Sequence, residues 1–297
     1  MAPPYRLDRT LACGQCFRWT VVRGPSDDGV SVHARGVVDG AVVQVTQDAT
    51  GLAVRWEGAL APAPAAGVQA AGVAYEDTAL ARIVHHLGAD APLAQIEAAL
   101  AHDHVLRRLL RATSGIALMR QDPWECLVSY VISAFNNIPK IVLAIERLAR
   151  RFGDPLPGGT ARFPSPERLA EARPATLRTC VLGYRAPYVR DLARLVARGE
   201  VDLRALGALP YDDARRMLMA LPGVGEKVAE CVLLFAYGMG EAFPVDVWVH
   251  RAVVRWYFGG RPRTPRAIRA WARDRFGALA GYAQQHLYAA SRAARVR

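Results

Sequence analysis

The hydrophobic period of this chain changes once and does not change back, which limits the architectures open to it. From residue 6 to about 58 apolar residues keep a two-residue rhythm: Phe17, Trp19 and Val21, then Val37, Val38, Val42, Val43 and Val45, then Leu52, Val54 and Trp56. Turn-forming clusters interrupt it at Gly24-Pro25-Ser26-Asp27-Asp28-Gly29, at Asp39-Gly40 and around Thr50-Gly51. The pattern predicts an antiparallel meander, with a two-residue hairpin at Asp39-Gly40. Ala59 to Val73, rich in Ala, Pro and Gly, reads as a loop or flexible insertion.

From Asp77 onward the period is helical. One helix carries Leu80, Ile83, Val84 and Leu87; a second spans Ile96, Leu100 and Val105 to Leu110, with Arg107, Arg108 and Arg111 on its outer side. Asp122-Pro123 supplies an acidic cap and a first-position proline for a helix through Leu127, Tyr130 and Val131. Asn136-Asn137 stops it and Pro139 opens the next; two amides in such a break can simply satisfy helix ends through Asx-type turns. After the Gly- and Pro-rich connector Phe152 to Pro166 come helices near 167–172 and 176–181, the turn Leu182-Gly183-Tyr184-Arg185, and helices through Val189 to Leu195, Asp212 to Leu221, Glu226 onward, Val247 onward, 266–276 and 281–294. The expected class is α+β: an N-terminal antiparallel sheet subdomain with flanking helices over residues 1–120, then a larger helical domain over residues 121–297. At 297 residues and 52% hydrophobic, the chain can bury its core without covalent staples.

Lys and Arg exceed Asp and Glu by 38 to 27, a net charge of +11 carried mostly by Arg. That balance favours a polyanionic partner, since neutralising phosphates releases counterions; free use of Arg on a solvated surface is the alternative. Five scattered cysteines are too few for a disulfide framework and fit a reducing compartment. Cys13 and Cys16 form a C-x-x-C, but no second Cys or His pair stands at ligand spacing, so two incidental cysteines are the simpler expectation. No signal peptide and no run of about 18 apolar residues is seen, so a soluble protein without membrane association is expected, cytoplasmic in a bacterial-type cell or nuclear in a eukaryote.

The sharpest local feature is Leu221-Pro222-Gly223-Val224-Gly225, set between two helices in a hairpin over about residues 212–236. Gly223 and Gly225 let the backbone turn tightly and approach another molecule, and the N–H groups opening the second helix suit a phosphate; an ordinary glycine-linked hairpin is the plainer account. Lys227 stands one residue inside that helix, where the dipole opposes positive charge, sharing a stripe with Cys231 and Leu234, while Val228, Val232 and Phe235 form a core stripe. An isolated lysine there would ordinarily snorkel to solvent. Asp246, enclosed by Phe243-Pro244-Val245 and Val247-Trp248-Val249, is a carboxylate in an apolar segment. It can cap the helix starting at Val247, or stand beside Lys227 and stabilise positive charge on a sugar being displaced.

At these residues the chain resembles the helix-hairpin-helix (HhH-GPD) DNA glycosylase superfamily, and within it the 8-oxoguanine DNA glycosylase/AP lyase family. LPGVGEKVAEC and the following PVDV carry the likeness, and so, in the same order along the chain, do LACGQCFRW (Leu11 to Trp19), QDPWECLVSYVISAFNNIPKI (Gln121 to Ile141), LGYRAPYV (Leu182 to Val189) and AGYAQQHLY (Ala280 to Tyr288). The resemblance implies that Lys227 attacks deoxyribose C1′ of a flipped nucleoside, that Asp246 stabilises the developing oxocarbenium ion, and that a Schiff base then permits β-elimination. It implies a base pocket of Gly14, whose carbonyl accepts the N7 hydrogen of 8-oxoguanine, with Cys231 and Tyr288 on opposite faces and Gln284 at the edge. Tyr184 and Arg185 would be wedge and reader beside the orphaned cytosine. Carbonyls of Met219, Leu221 and Val224 would hold a structural cation near the DNA phosphate. No iron-sulfur cluster and no other cofactor are implied; the partner is duplex DNA containing oxidised guanine, and a monomer is expected.

Three positions depart from the family pattern. Phe135-Asn136-Asn137 stands where three consecutive Asn are usual, Lys140 where an Arg reads the opposite cytosine, and Trp248 where a His often contacts phosphate. An ammonium lacks the bidentate fork of a guanidinium, so a weaker preference for opposite cytosine is expected. The competing functions are a glycosylase of the same fold for alkylated bases, against which Lys227 speaks; a related enzyme that prefers another oxidised purine or another opposite base, which the Phe135 and Lys140 changes leave open; and a non-catalytic DNA-binding module, which leaves Asp246 and the Cys231, Gln284 and Tyr288 set without a purpose.

Overall fold

The computed structural model describes residues 5–26, 29–58 and 79–294. A short helix α1 (Leu7–Ala12) precedes four antiparallel strands, β1 (Thr20–Ser26), β2 (Gly29–Val38), β3 (Ala41–Gln47) and β4 (Leu52–Glu57), in the order β1-β2-β3-β4. The hairpin at Asp39-Gly40 forms as expected: Val38 pairs with Ala41, and both loop residues have positive φ, +47° and +79°. The meander nevertheless begins later than the alternation suggests. Phe17 and Trp19 lie before β1, where Phe17 meets Tyr130 edge-on at 5.6 Å and Trp19 covers Gly36. Their spacing reflects an extended segment crossing onto the helices, not a pleat. Gly24, Pro25 and Ser26 belong to β1 because it is an edge strand, where a proline removes no hydrogen bond from a central ladder. The low-complexity stretch expected at Ala59 to Val73 lies outside the described residues.

The helical part runs α2 (Ala79–His86), α3 (Leu93–Leu100), α4 (His104–Thr113), α5 (Pro123–Ser133), α6 (Ile138–Phe152), a two-stranded β5 (Pro155–Leu156) and β6 (Thr160–Ala161), α7 (Pro166–Ala170), α8 (Pro174–Thr179), α9 (Ala186–Ala197), α10 (Leu203–Leu206), α11 (Tyr211–Met219), α12 (Glu226–Phe235), α13 (Val247–Tyr257), α14 (Pro265–Phe276) and α15 (Ala280–Ala293). The single helix expected across Ile96 to Leu110 is two. Asp103 divides them, its carboxylate accepting from the N–H groups of Val105 and Leu106, each at 2.9 Å, and from Tyr257 Oη at 2.8 Å. A cap that also anchors a distant helix overrides a continuous apolar stripe. The connector expected from Phe152 to Pro166 contains the β5–β6 ribbon.

One hydrophobic core joins sheet and helices: Val43, Val45 and Leu7 belong to the same cluster as Leu127, Ile145, Val232 and Phe243. The last helix, α15, packs on α4 and α13, so the end of the chain closes over its first half. α12 is buried along its length from Val228 to Phe235 and packs on α5 and α11. Each large side chain there contributes roughly 1.5–3 kcal/mol by burial, which fixes its N-terminus in place. No helix of the described residues is long and apolar enough to cross a membrane.

Candidate active site

The hairpin between α11 and α12 uses its two glycines differently. Gly223 has φ +76°, and a Cβ there would sit 2.8 Å from the Tyr188 ring, so both backbone and packing require glycine. Gly225, the N-cap of α12, has φ −92° and open space where a side chain would go; its glycine leaves the turn approachable from outside. Two residues on, Lys227 turns inward and its Nζ donates to Ser133 Oγ at 2.9 Å, 5.1 Å from the Tyr130 ring centroid. It is half-buried and does not snorkel.

Asp246 does both things open to it from sequence. Its Oδ1 accepts from the Val249 N–H at 2.8 Å, capping α13, and its carboxylate lies in the field of Lys227. The two form no ion pair closer than 4.0 Å. Burial pushes the Asp246 carboxyl above its ordinary range, against the opposing effects of the Val249 N–H and the Lys227 charge. The segment leading to Asp246 is held by a residue that periodicity does not single out. Glu230, with no exposed surface, accepts from Tyr211 Oη at 2.7 Å, Arg215 Nε at 2.8 Å and the Phe243 backbone N–H at 2.8 Å. It thereby ties α11 and α12 to the irregular segment that delivers Asp246.

Residues from the two ends of the chain meet beside this pair. Gly14 has φ +76°, and a Cβ there would stand 2.6 Å from Tyr288 Oη and 3.1 Å from its ring. Cys231 and Gln284 are buried, at 3% and 4% exposure, and burial pushes the Cys231 thiol up to about 12, keeping it neutral. The Gly14 loop is stitched down by its neighbour Gln15, whose Nε2 donates to the carbonyls of Thr10 (2.9 Å) and Ala117 (2.8 Å) and whose Oε1 accepts from the Met119 N–H (2.9 Å). The Gln15 carbonyl in turn accepts from Tyr130 Oη at 3.0 Å. Arg292, one turn beyond Tyr288, donates to its hydroxyl at 3.0 Å and helps hold the Asp246 carboxyl down.

The tip between α5 and α6 is built otherwise. Phe135 has φ +49° and is fully exposed, and Tyr184 beside it is 56% exposed. Arg185, which the resemblance makes a reader beside the orphaned cytosine, is buried: its Nε donates to the Ala134 carbonyl at 2.9 Å, and Nη2 to the carbonyls of Ala134 and, at 3.0 Å, Phe135. The guanidinium holds the strained tip in place. Asn137 caps α6 through the Lys140 N–H at 3.1 Å, and Asn136 donates to the Ile132 carbonyl, so both amides meet the helix-end role. Lys140 is exposed, and Trp248 is half-buried in the first turn of α13. Of the three carbonyls expected to hold a cation, that of Leu221 accepts from the Val224 N–H at 3.1 Å. Among the described residues no group of three or more His, Cys, Asp or Glu is placed to hold a metal.

Gln15, Glu230, Ser133 and Arg292 escape sequence reasoning. Only Gln15 carries a local signal, a glutamine between two cysteines in the stretch that supplies Gly14.

A sheet leading into helices, with a glycine hairpin that places a lysine near a capping aspartate, defines a base excision DNA repair protein of the HhH-GPD superfamily. Residues 128–276 match the model of that superfamily, to which the chain belongs. Within it the chain is a member of the 8-oxoguanine DNA glycosylase family, since residues 3–127 match the 8-oxoguanine DNA glycosylase N-terminal domain. It is 35% identical over 209 residues to a probable N-glycosylase/DNA lyase of Methanothermobacter thermautotrophicus, covering 63% of this chain and 66% of that one. The chain thus spans about two thirds of that relative's length, and smaller shares of other curated N-glycosylase/DNA lyases. Among solved structures it is similar to MBOgg1 in complex with a low-affinity DNA ligand, with 33% identity and a TM-score of 0.84 over 99% of this chain and 94% of that one. It is also similar to the Clostridium acetobutylicum 8-oxoguanine glycosylase/lyase in complex with DNA containing cytosine opposite 8-oxoguanine, at 28% identity, with the same TM-score and coverage.

Proposed function

We propose that this protein is a bifunctional DNA glycosylase/AP lyase that removes 8-oxoguanine from duplex DNA. The observation that carries the reading is an amine held off the surface: Lys227 Nζ on Ser133, with the half-buried Asp246 close enough for their charges to interact. The damaged nucleotide leaves the stack and enters the space bordered by Gly14, Cys231, Gln284 and Tyr288. Once its ammonium has given up a proton, the Lys227 amine gives its lone pair to C1′ while the glycosidic bond breaks, that bond's electron pair leaving with the base, which takes up a proton. Asp246 stabilises the positive charge that gathers on the sugar between bond breaking and bond making. The attacking nitrogen loses a proton, the sugar ring opens with O4′ protonated, and the resulting Schiff base acidifies C2′. Loss of a C2′ proton then expels the 3′ phosphate.

No bond-making step in this scheme uses a metal or cofactor. A cation on the Met219, Leu221 and Val224 carbonyls would serve only to neutralise a DNA phosphate. Relatives named 3-methyladenine glycosylases share the superfamily, and Lys227 is the feature that favours lyase chemistry over theirs. Incubation with 8-oxoguanine duplexes in the presence of borohydride tests the proposal. A covalent adduct is expected for the wild type, and Lys227→Gln should lower adduct formation about 10⁴-fold or more. Excision without any trapped adduct would overturn the lyase assignment.

A further inference from the structure

We propose that Ser133 is a positioning residue that sets the nucleophilic orientation of the Lys227 amine, an inference that rests on the lysine chemistry above. Ser133 ends α5 and is buried, at 8% exposure. Its hydroxyl donates to the Tyr130 carbonyl at 2.7 Å, so its single proton is already committed. Towards Lys227 Nζ, 2.9 Å away, it presents only lone pairs, and the amine must be the donor. A neutral amine with one N–H fixed on Ser133 Oγ has its lone pair directed away from that oxygen. Were the hydroxyl free to rotate, it could donate to that lone pair and occupy the electrons that must form the bond to C1′. The Tyr130 carbonyl prevents this.

The same support reaches the lesion side. Tyr130 lies under Nζ with its ring centroid 5.1 Å away, and its hydroxyl donates at 3.0 Å to the carbonyl of Gln15, the residue that follows Gly14. The amine and the base-reading loop therefore share one rigid anchor. Ser133 touches no substrate atom in this scheme and acts only through Lys227.

Single-turnover borohydride trapping on an 8-oxoguanine duplex tests the assignment. Ser133→Ala is expected to slow adduct formation about tenfold, the scale of one lost orienting hydrogen bond. Its Kd for a duplex bearing a tetrahydrofuran abasic analogue should stay within about twofold of wild type. Ser133→Thr, which keeps the hydroxyl, should recover most of the rate. Ser133→Cys fills the same space with a poor acceptor and should be slow with an unchanged melting transition. Trapping by the alanine or cysteine variant at the wild-type rate, or a threonine variant as slow as alanine, would overturn the proposal. Absence of an adduct from the wild type would instead overturn the lysine chemistry on which it rests.

Discussion

The proposed base pocket and the tip proposed to face the opposite strand differ in how their polar groups are used. Around Gly14, Lys227 and Asp246 the supports are buried and fully bonded: Gln15 fixes the loop, Glu230 the segment before Asp246, and Ser133 the amine. At the tip the exposed groups include the aromatic rings of Phe135 and Tyr184 and the ammonium of Lys140, while the guanidinium of Arg185 is spent on the carbonyls of Ala134 and Phe135. Buried, preorganised donors and acceptors discriminate strongly, because a wrong partner leaves them unpaired; a ring face stacks on any base. The contrast implies strict demands on the damaged base and loose demands on its partner.

The largest expected effect lies at the pocket end. Asp246→Asn keeps a cap for α13 but removes the charge, and should lower the single-turnover excision rate about 10²–10³-fold. The same variant should be more stable at neutral pH. Because the folded carboxyl is raised, the native state binds this proton more tightly than the unfolded chain does. The stability linked to that proton is fully present below the ordinary carboxyl value of about 4 and is lost as pH rises through the higher folded value. At pH 7 the ionised group is a cost that Asn removes, so a rise in Tm on the order of 2 °C is expected, vanishing in acid. An unchanged or lower Tm at pH 7 would show that the carboxylate is not held under strain.

Gly14→Ala separates base recognition from chemistry. The new Cβ meets positive φ and Tyr288 Oη at 2.6 Å, so excision of 8-oxoguanine should fall about 10–100-fold. Trapping on a preformed abasic site, which places no base in the pocket, should fall far less. Equal losses on both substrates would mean that the loop supports the fold and not the base.

What sequence reveals about these two ends follows the same division. The change of hydrophobic period marks the sheet and the helices, and Lys227 and Asp246 stand out because each breaks an apolar pattern locally. The meeting of Gly14 with Tyr288 follows only from resemblance, since no periodicity links residues so far apart. Ser133 and Glu230 are invisible in sequence: a serine at a helix end and a glutamate on a helix read as solvated until tertiary contacts give them partners. The bonds Arg185 makes are equally hidden from the sequence. A charged residue in a turn reads as exposed, yet two carbonyls at a strained corner draw it inward. Asp103 is a similar case, its capping contacts dividing a stripe that looks continuous.

At the tip, Phe135→Ala tests whether the exposed ring enters the duplex. Stacking of one base on an aromatic side chain contributes about 1–3 kcal/mol, so binding of lesion duplexes should weaken about 5- to 150-fold, by similar factors whichever base stands opposite. A loss confined to duplexes with opposite cytosine would contradict the contrast drawn between the two ends.

The smallest expected effect is the most direct test of that contrast. With no guanidinium free at the tip, excision of 8-oxoguanine opposite each of the four bases should vary by no more than about tenfold, because Lys140 offers a charge without the paired donors that distinguish one base edge from another. Lys140→Arg restores a fork at an exposed position on the first turn of α6, where no packing has to change. A bidentate contact discriminates by about 1–3 kcal/mol when well placed, and an exposed side chain on a helix end should realise the lower part of that range, a cytosine preference increased several-fold. Binding in moderate salt should change little, since the charge is conserved. If Lys140→Arg leaves the four-base profile flat, the ammonium at residue 140 is not what limits reading of the opposite base. A wild-type profile that strongly prefers cytosine would instead overturn the contrast and mean that the Arg185 guanidinium leaves the Ala134 and Phe135 carbonyls when DNA binds; Arg185→Lys should then lose that preference across the same four duplexes.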